Sequence, residues 1–153
     1  MKKTVYLIFA VICAVSIFAF SSQTATKSNT LSNNISEKIA VRTSGYDDLN
    51  DGQKDLRNVN INDFIRALAH IFLFACLGLF LALFVGECKK NGILYIAFPI
   101  CFLYAIIDES YQGIFVDGRA FEVLDLVKDW SGSLFAILCV VVFNYIRSKK
   151  GKF

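Results

Sequence analysis

The chain has 153 residues, of which 56% are hydrophobic and 19% charged, with a formal net charge of +3 and a mean hydropathy of +0.53. Average soluble domains carry about 25% charged residues and fewer apolar ones. The apolar excess is gathered into long runs, which excludes a secreted soluble enzyme and a disordered chain. The charge is too small and too dispersed for a nucleic-acid surface, so no nucleic-acid partner is expected.

The first run, residues 5–20, follows Lys2 and Lys3, and residues 1–20 read as the first transmembrane helix. A basic start, an apolar stretch and Ala19-Phe20-Ser21 also fit a secretory signal with a small-x-small cleavage site. Residues 21–63 follow, rich in Ser, Thr, Asn and Asp and without proline, and read as a polar extracytoplasmic loop, poorly ordered in part. The second run, residues 64–86, is interrupted by Arg66 and His70 and easily reaches the ~20 residues that a spanning helix needs. The third, residues 93–107, holds the only proline, Pro99. Pro99 is expected to kink the helix rather than end it, because neighbouring helices satisfy the freed carbonyl. The fourth, residues 134–146, reaches spanning length if its helix begins near Trp130. Residues 64–153 thus read as a three-helix core with a basic tail. The expected class is all-α, an integral membrane bundle of four transmembrane helices.

Cysteine adds no framework. Cys13, Cys76, Cys101 and Cys139 lie inside apolar runs and Cys88 in a short basic stretch, with no C-x-x-C pair, so they read as small hydrophobes. Orientation follows basic density in short flanks. Lys2 and Lys3, Lys89 and Lys90, and Arg147, Lys149, Lys150 and Lys152 crowd short segments, whereas the other basic residues are spread among acids. Both termini are therefore expected on the cytoplasmic side of the plasma membrane.

Alternating helix directions bring the polar residues to one level. Arg66 and His70 lie early in the second run, Asp108, Glu109 and Gln112 at the end of the third, and Asp125 and Asp129 ahead of the fourth. Gly118 and Arg119 lie between the third and fourth. Arg66/His70, Asp108/Gln112 and Asp125/Asp129 are each spaced i, i+4 and share one helix face. Ionisable groups at membrane depth are costly and face the bundle interior or water. Each residue has a plainer reading. His70 is either an acid, base or ligand, or a helix-packing hydrogen-bond donor. Asp108-Glu109 is either reactive or a solvated helix end, and an i, i+1 pair points in two directions. Arg119 reads equally as a salt-bridge partner, and Asp125 and Asp129 as helix-dipole partners. Glu122 and Asp117 read as solvated.

At these residues the sequence resembles the VanZ-like family, named for a teicoplanin-resistance protein of Gram-positive bacteria. Phe20-Ser21-Ser22-Gln23 resembles the family's Ser-Ser-Gln signature at the end of the first helix, which implies that this helix is retained. Arg66-Ala67-Leu68-Ala69-His70 resembles the family's Arg-Lys-x-Ala-His, with Leu77-Gly78 after it. Asp108-Glu109-Ser110-Tyr111-Gln112 followed by Gly118-Arg119 resembles the central Asp-Glu-x-x-Gln…Gly-Arg motif, and Asp125, Asp129 and Gly132 the later Asp…Asn…Gly pattern. Ala67 departs from the usual Lys, Leu73 and Phe74 from Glu and Tyr, and Asp129 from Asn. The resemblance implies a membrane-embedded protein linked by name to glycopeptide resistance and carries over no mechanism.

Two functions of different class follow. In the first, the protein acts on or binds a lipid head group or lipid-linked cell-envelope precursor at the outer leaflet and so affects glycopeptide susceptibility. His70, Asp108 and Glu109 would supply acid–base chemistry. Arg66, Arg119, Gln112, Asp125 and Asp129 would hold the ligand, with guanidinium matching phosphate or carboxylate bidentately. Mg²⁺ on Asp108, Asp125 and Asp129 is conceivable, but no spacing assigns a metal, and the sequence names no cofactor. In the second, the module is non-enzymatic, and the polar cluster either holds an anionic lipid or glycopeptide-related ligand or only holds the bundle together. No P-loop, HEXXH, nucleophile elbow or Rossmann glycine pattern favours enzyme chemistry.

Overall fold

In the computed structural model the described residues are 1–23, 39, 41–42, 50–89 and 92–150. Among them the chain is helical and carries no strand. Four helices are long and apolar enough to cross a membrane. They are α1 (Lys2–Ser21), α2 (Asp51–Cys88), α3 (Ile93–Phe115) and α4 (Val123–Lys150). The expected four-helix bundle is the fold observed.

The helix α1 is apolar on every side and buries only Ala10, Ile17 and Ser21. Ile8, Val11, Ile12, Val15 and Phe18 stay exposed. So much apolar surface is a liability in water and is the natural outer face of a lipid-embedded helix. Its inner side meets α2 through the stacked rings of Phe9 and Phe80, 5.0 Å apart. Tyr104 of α3 donates its hydroxyl hydrogen to the Ala14 carbonyl at 2.6 Å.

The second helix corrects the expected boundary. It starts at Asp51, not near residue 64, so the helix begins thirteen residues before the apolar run does. The cause is a capping box. Asn50 Oδ1 accepts the Gln53 backbone N–H at 2.9 Å, and Gln53 Oε1 accepts that of Asn50 at 3.1 Å. The reciprocal pair satisfies two of the donors that a helix start leaves open. At 38 residues the helix is about 57 Å long, well beyond the ~30 Å of a bilayer core. The expectation of partial disorder elsewhere in 21–63 falls largely on residues outside the described ones.

The third helix runs on through Pro99 and past residue 107 to Phe115. The fourth starts at Val123, earlier than Trp130, and so reaches spanning length without difficulty.

α2 is central. It packs most extensively on α4, then on α1, while α3 lies against both α4 and α2. Phe74, Ile137, Cys101, Ala82 and Ile17 form the inaccessible core drawn from all four helices. Trp130 of α4 stacks on Phe102 of α3 with centroids 4.1 Å apart. The crossing of α2 and α4 depends on glycine. A Cβ on Gly78 would stand 2.7 Å from the Ser133 carbonyl oxygen, and one on Gly132 would collide with that of Ile71. This backbone-to-backbone approach is the small-residue packing that membrane helices use.

Candidate functional site

The polar residues gather at one end of the bundle. There α1 and α3 finish, α4 starts, and α2 passes between them. Two layers can be distinguished.

The inner layer is a buried chain of hydrogen bonds. Ser21, fully buried at the last residue of α1, donates to Asp108 Oδ2 at 2.7 Å. Gln112, one turn beyond Asp108 on the same face of α3, donates from Nε2 to Asp108 Oδ2 at 3.0 Å and to Ser21 Oγ at 3.2 Å. Its Oε1 accepts from an Arg119 guanidinium nitrogen. Asp108 Oδ1 is buried with no partner among the described residues. Four side chains from α1, α3 and the α3–α4 turn therefore form one network.

The turn itself follows from Gly118-Arg119. The Arg119 N–H bonds to the Val116 carbonyl at 3.2 Å, and Gly118 in third place has φ of 77°. That left-handed conformation is one that L side chains rarely adopt. Gly118 thus lets the chain swing Arg119 back over Gln112. Glu109, one residue on from Asp108, points elsewhere. Its Oε1 accepts the Glu122 N–H at 2.7 Å, immediately before α4. A carboxylate there satisfies an open donor and complements the positive end of the helix.

The outer layer is a cleft of about 300 Å³ lined by Arg66, Ala67, His70, Arg119, Glu122, Asp125, Lys128 and Asp129. Lys128 pairs with Asp125 across one turn of α4. His70 Nδ1 stands 3.6 Å from Asp129 Oδ1, with the histidine side chain 20% exposed and the aspartate 1%. That distance is too long for a hydrogen bond. Neither oxygen of Asp129 has a hydrogen-bond partner among the described residues, and the Arg119 Nε is likewise buried without one. Burial, then the nearby Arg66, pull the Arg119 guanidinium below its ordinary pKa, while Glu109, Asp108 and Asp125 push the other way. An arginine so displaced is still a cation at neutral pH.

The expected site residues thus separate. Arg66, His70, Arg119, Asp125 and Asp129 share the cleft. Asp108, Glu109 and Gln112 are buried behind it, and their side chains hold α1, the turn and the start of α4. Asp108 and Arg119 lie on the same side of the bundle, joined through Gln112. The trio Asp108, Asp125 and Asp129 does not converge as a metal site, and no group of three His, Cys, Asp or Glu among the described residues does. Three participants were not expected. Ser21 had its signal in the Ser-Ser-Gln motif, but nothing in the sequence tied it to Asp108. Lys128 enters because α4 starts early enough to carry it to the cleft, and Glu122 because it stands immediately before that start.

The family model for VanZ/LLP1 matches residues 5–144. The chain belongs to the VanZ/LLP1 family. It is a membrane protein of that family with four helices suited to spanning. No curated protein and no solved structure matches it. Within this VanZ/LLP1 chain the matched span runs from the first helix to near the end of the fourth, so it takes in the hydrogen-bonded network and the cleft together.

Proposed function

We propose that this VanZ/LLP1 protein binds, in the cleft between α2 and α4, the polar head of a membrane lipid or lipid-linked cell-envelope precursor. Basic density at the flanks supports assigning that end of the bundle to the outer leaflet of the plasma membrane. The observation that carries the reading is the pair of arginines, Arg66 and Arg119, lining one concave polar cleft at the end of a spanning bundle. Guanidinium is the side chain best matched to phosphate and carboxylate. Arg119 is held in place by Gln112 rather than free to snorkel. Capture of an envelope component in this way offers a route to altered glycopeptide, including teicoplanin, susceptibility. If chemistry accompanies binding, the His70–Asp129 pair is the acid–base candidate, since both line the cleft. Asp108 and Glu109 are committed to hydrogen bonds inside the bundle.

The second reading is that the polar cluster only holds the bundle together, and the Ser21–Asp108–Gln112–Arg119 chain favours it. Lipid retained by the purified protein separates the two. Mass spectrometry of gently solubilised wild type should find lipid that Arg119→Ala loses. Arg119→Lys should lose nearly as much, because it keeps the charge but not the planar fork. Equal retention by all three proteins, with lowered thermal stability in the variants, would leave the structural role alone.

A further inference from the structure

Within that head-group reading, the geometry points to a zwitterionic ligand, a phosphate ester carrying a primary amine. The cleft holds two orphaned polar groups of opposite kind. Among the described residues, Arg119 Nε is a buried donor without an acceptor, and Asp129 presents two buried oxygens without a donor. Both residues line the same cleft. Among the described residues no ion pair joins them, and the ion-pair partner of Asp129 there is His70, beyond hydrogen-bond distance. An unsatisfied buried carboxylate is costly. It is retained at low cost where a ligand donor completes it.

Charge balance narrows the ligand. The cleft is lined by Arg66, Arg119 and Lys128, by the carboxylates of Glu122, Asp125 and Asp129, and by His70. Lys128 and Asp125 already satisfy one another. A polyanion such as a pyrophosphate would meet the arginines but also face Glu122 and Asp129, and would leave the buried carboxylate unpaired. A simple cation would leave the Arg119 Nε without an acceptor. A phosphate on the arginine side and an ammonium on the Asp129 side satisfy both. The cleft volume of about 300 Å³ is at the lower end for small-molecule sites, the size of a head group rather than of an oligosaccharide. The amine needs N–H bonds, because Asp129 must accept hydrogen bonds as well as feel charge.

The test compares three lipids that share the phosphodiester. Wild-type protein is placed in nanodiscs of phosphatidylglycerol doped equally with phosphatidylethanolamine and phosphatidylcholine, extracted, and its retained lipid measured by native mass spectrometry. Phosphatidylethanolamine should be retained about tenfold over phosphatidylcholine, the worth of a charge-assisted hydrogen bond. Asp129→Asn should bring that ratio near one while keeping lipid that Arg119→Ala loses. If Asp129→Asn does not fold, the wild-type ratio decides alone. A wild-type ratio near one, or preference for phosphatidylglycerol, overturns the amine assignment, and the head-group reading stands if Arg119→Ala still sheds lipid. Wild type that retains no lipid overturns both. Soluble phosphoethanolamine that displaces the lipid identifies the free head group as sufficient, and failure to displace it assigns the site to the membrane lipid.

Discussion

Gly78→Ala adds one methyl group where α2 crosses α4. The new Cβ would stand 2.7 Å from the Ser133 carbonyl oxygen and 2.9 Å from the Ser133 Cα. Both are backbone atoms, so no rotamer change relieves the contact. Restoring the ~3.5 Å of ordinary contact opens the crossing by about 0.8 Å. Overpacking of this kind costs about 1–3 kcal/mol, offset by up to about 1 kcal/mol of better helix propensity. A net loss of about 1–2 kcal/mol lowers Tm by roughly 2–8 °C in a chain of this size. Thermal unfolding in detergent, followed by the fluorescence of Trp130 stacked on Phe102, reads the shift. Gly132→Ala presses on the Ile71 carbonyl across the same interface. One separation relieves both, so the double variant should lose clearly less than the sum of the singles. Gly52→Ala, whose Cβ would meet only Asn50 Oδ1 at 3.8 Å, should be neutral or stabilising. Gly78→Ala at or above the wild-type Tm, or full additivity with Gly132→Ala, would refute the close crossing.

Ser21→Ala removes the buried donor to Asp108 Oδ2 and an acceptor of Gln112, and should cost about 1–3 kcal/mol. An unchanged Tm would show that α1 is not tied to α3 there. Asn50→Ala breaks the capping box and should cost about 1 kcal/mol at the start of α2, seen as faster amide exchange in the segment after it, while α4 exchange is unaltered. Uniform exchange between the two proteins would argue against the early start. A cysteine at Asn50 should react with an impermeant thiol reagent added to intact cells, and the exposed Cys88 should not. Labelling of Cys88 would invert the orientation read from basic density.

The spans were legible because a helix in lipid announces itself by composition, and α1 and the body of α2 needed nothing else. The ends were less so. Residues 51–63 look like loop because Asn and Asp predominate, yet Asn50 and Gln53 form a start signal three residues apart, and propensity averaged over a window hides it. The start of α4 was hidden for a different reason. The carboxylate that satisfies the Glu122 N–H comes from Glu109 on another helix, a tertiary cap with no local spacing to reveal it.

The site was legible as a level but not as a partition. Opposed helix directions and i, i+4 spacing were enough to bring Arg66, His70, Asp108, Gln112, Arg119, Asp125 and Asp129 to one end. Which of them face a ligand depends on rotation about each helix axis, about 100° per residue, and on neighbours the sequence does not name. Asp108 turns to Ser21 and Glu109 to the start of α4, so adjacent carboxylates serve different joints, and neither lines the cleft. Asp129, read either as a ligand-holding residue or as a helix-dipole partner, is 1% exposed beside His70 and has no hydrogen-bond partner among the described residues. Residues whose hydrogen bonds are complete explain how the bundle is held. Among the described residues that line the cleft, Arg119 and Asp129 are the two with buried polar atoms left unpartnered, and they are the ones that a ligand has reason to touch.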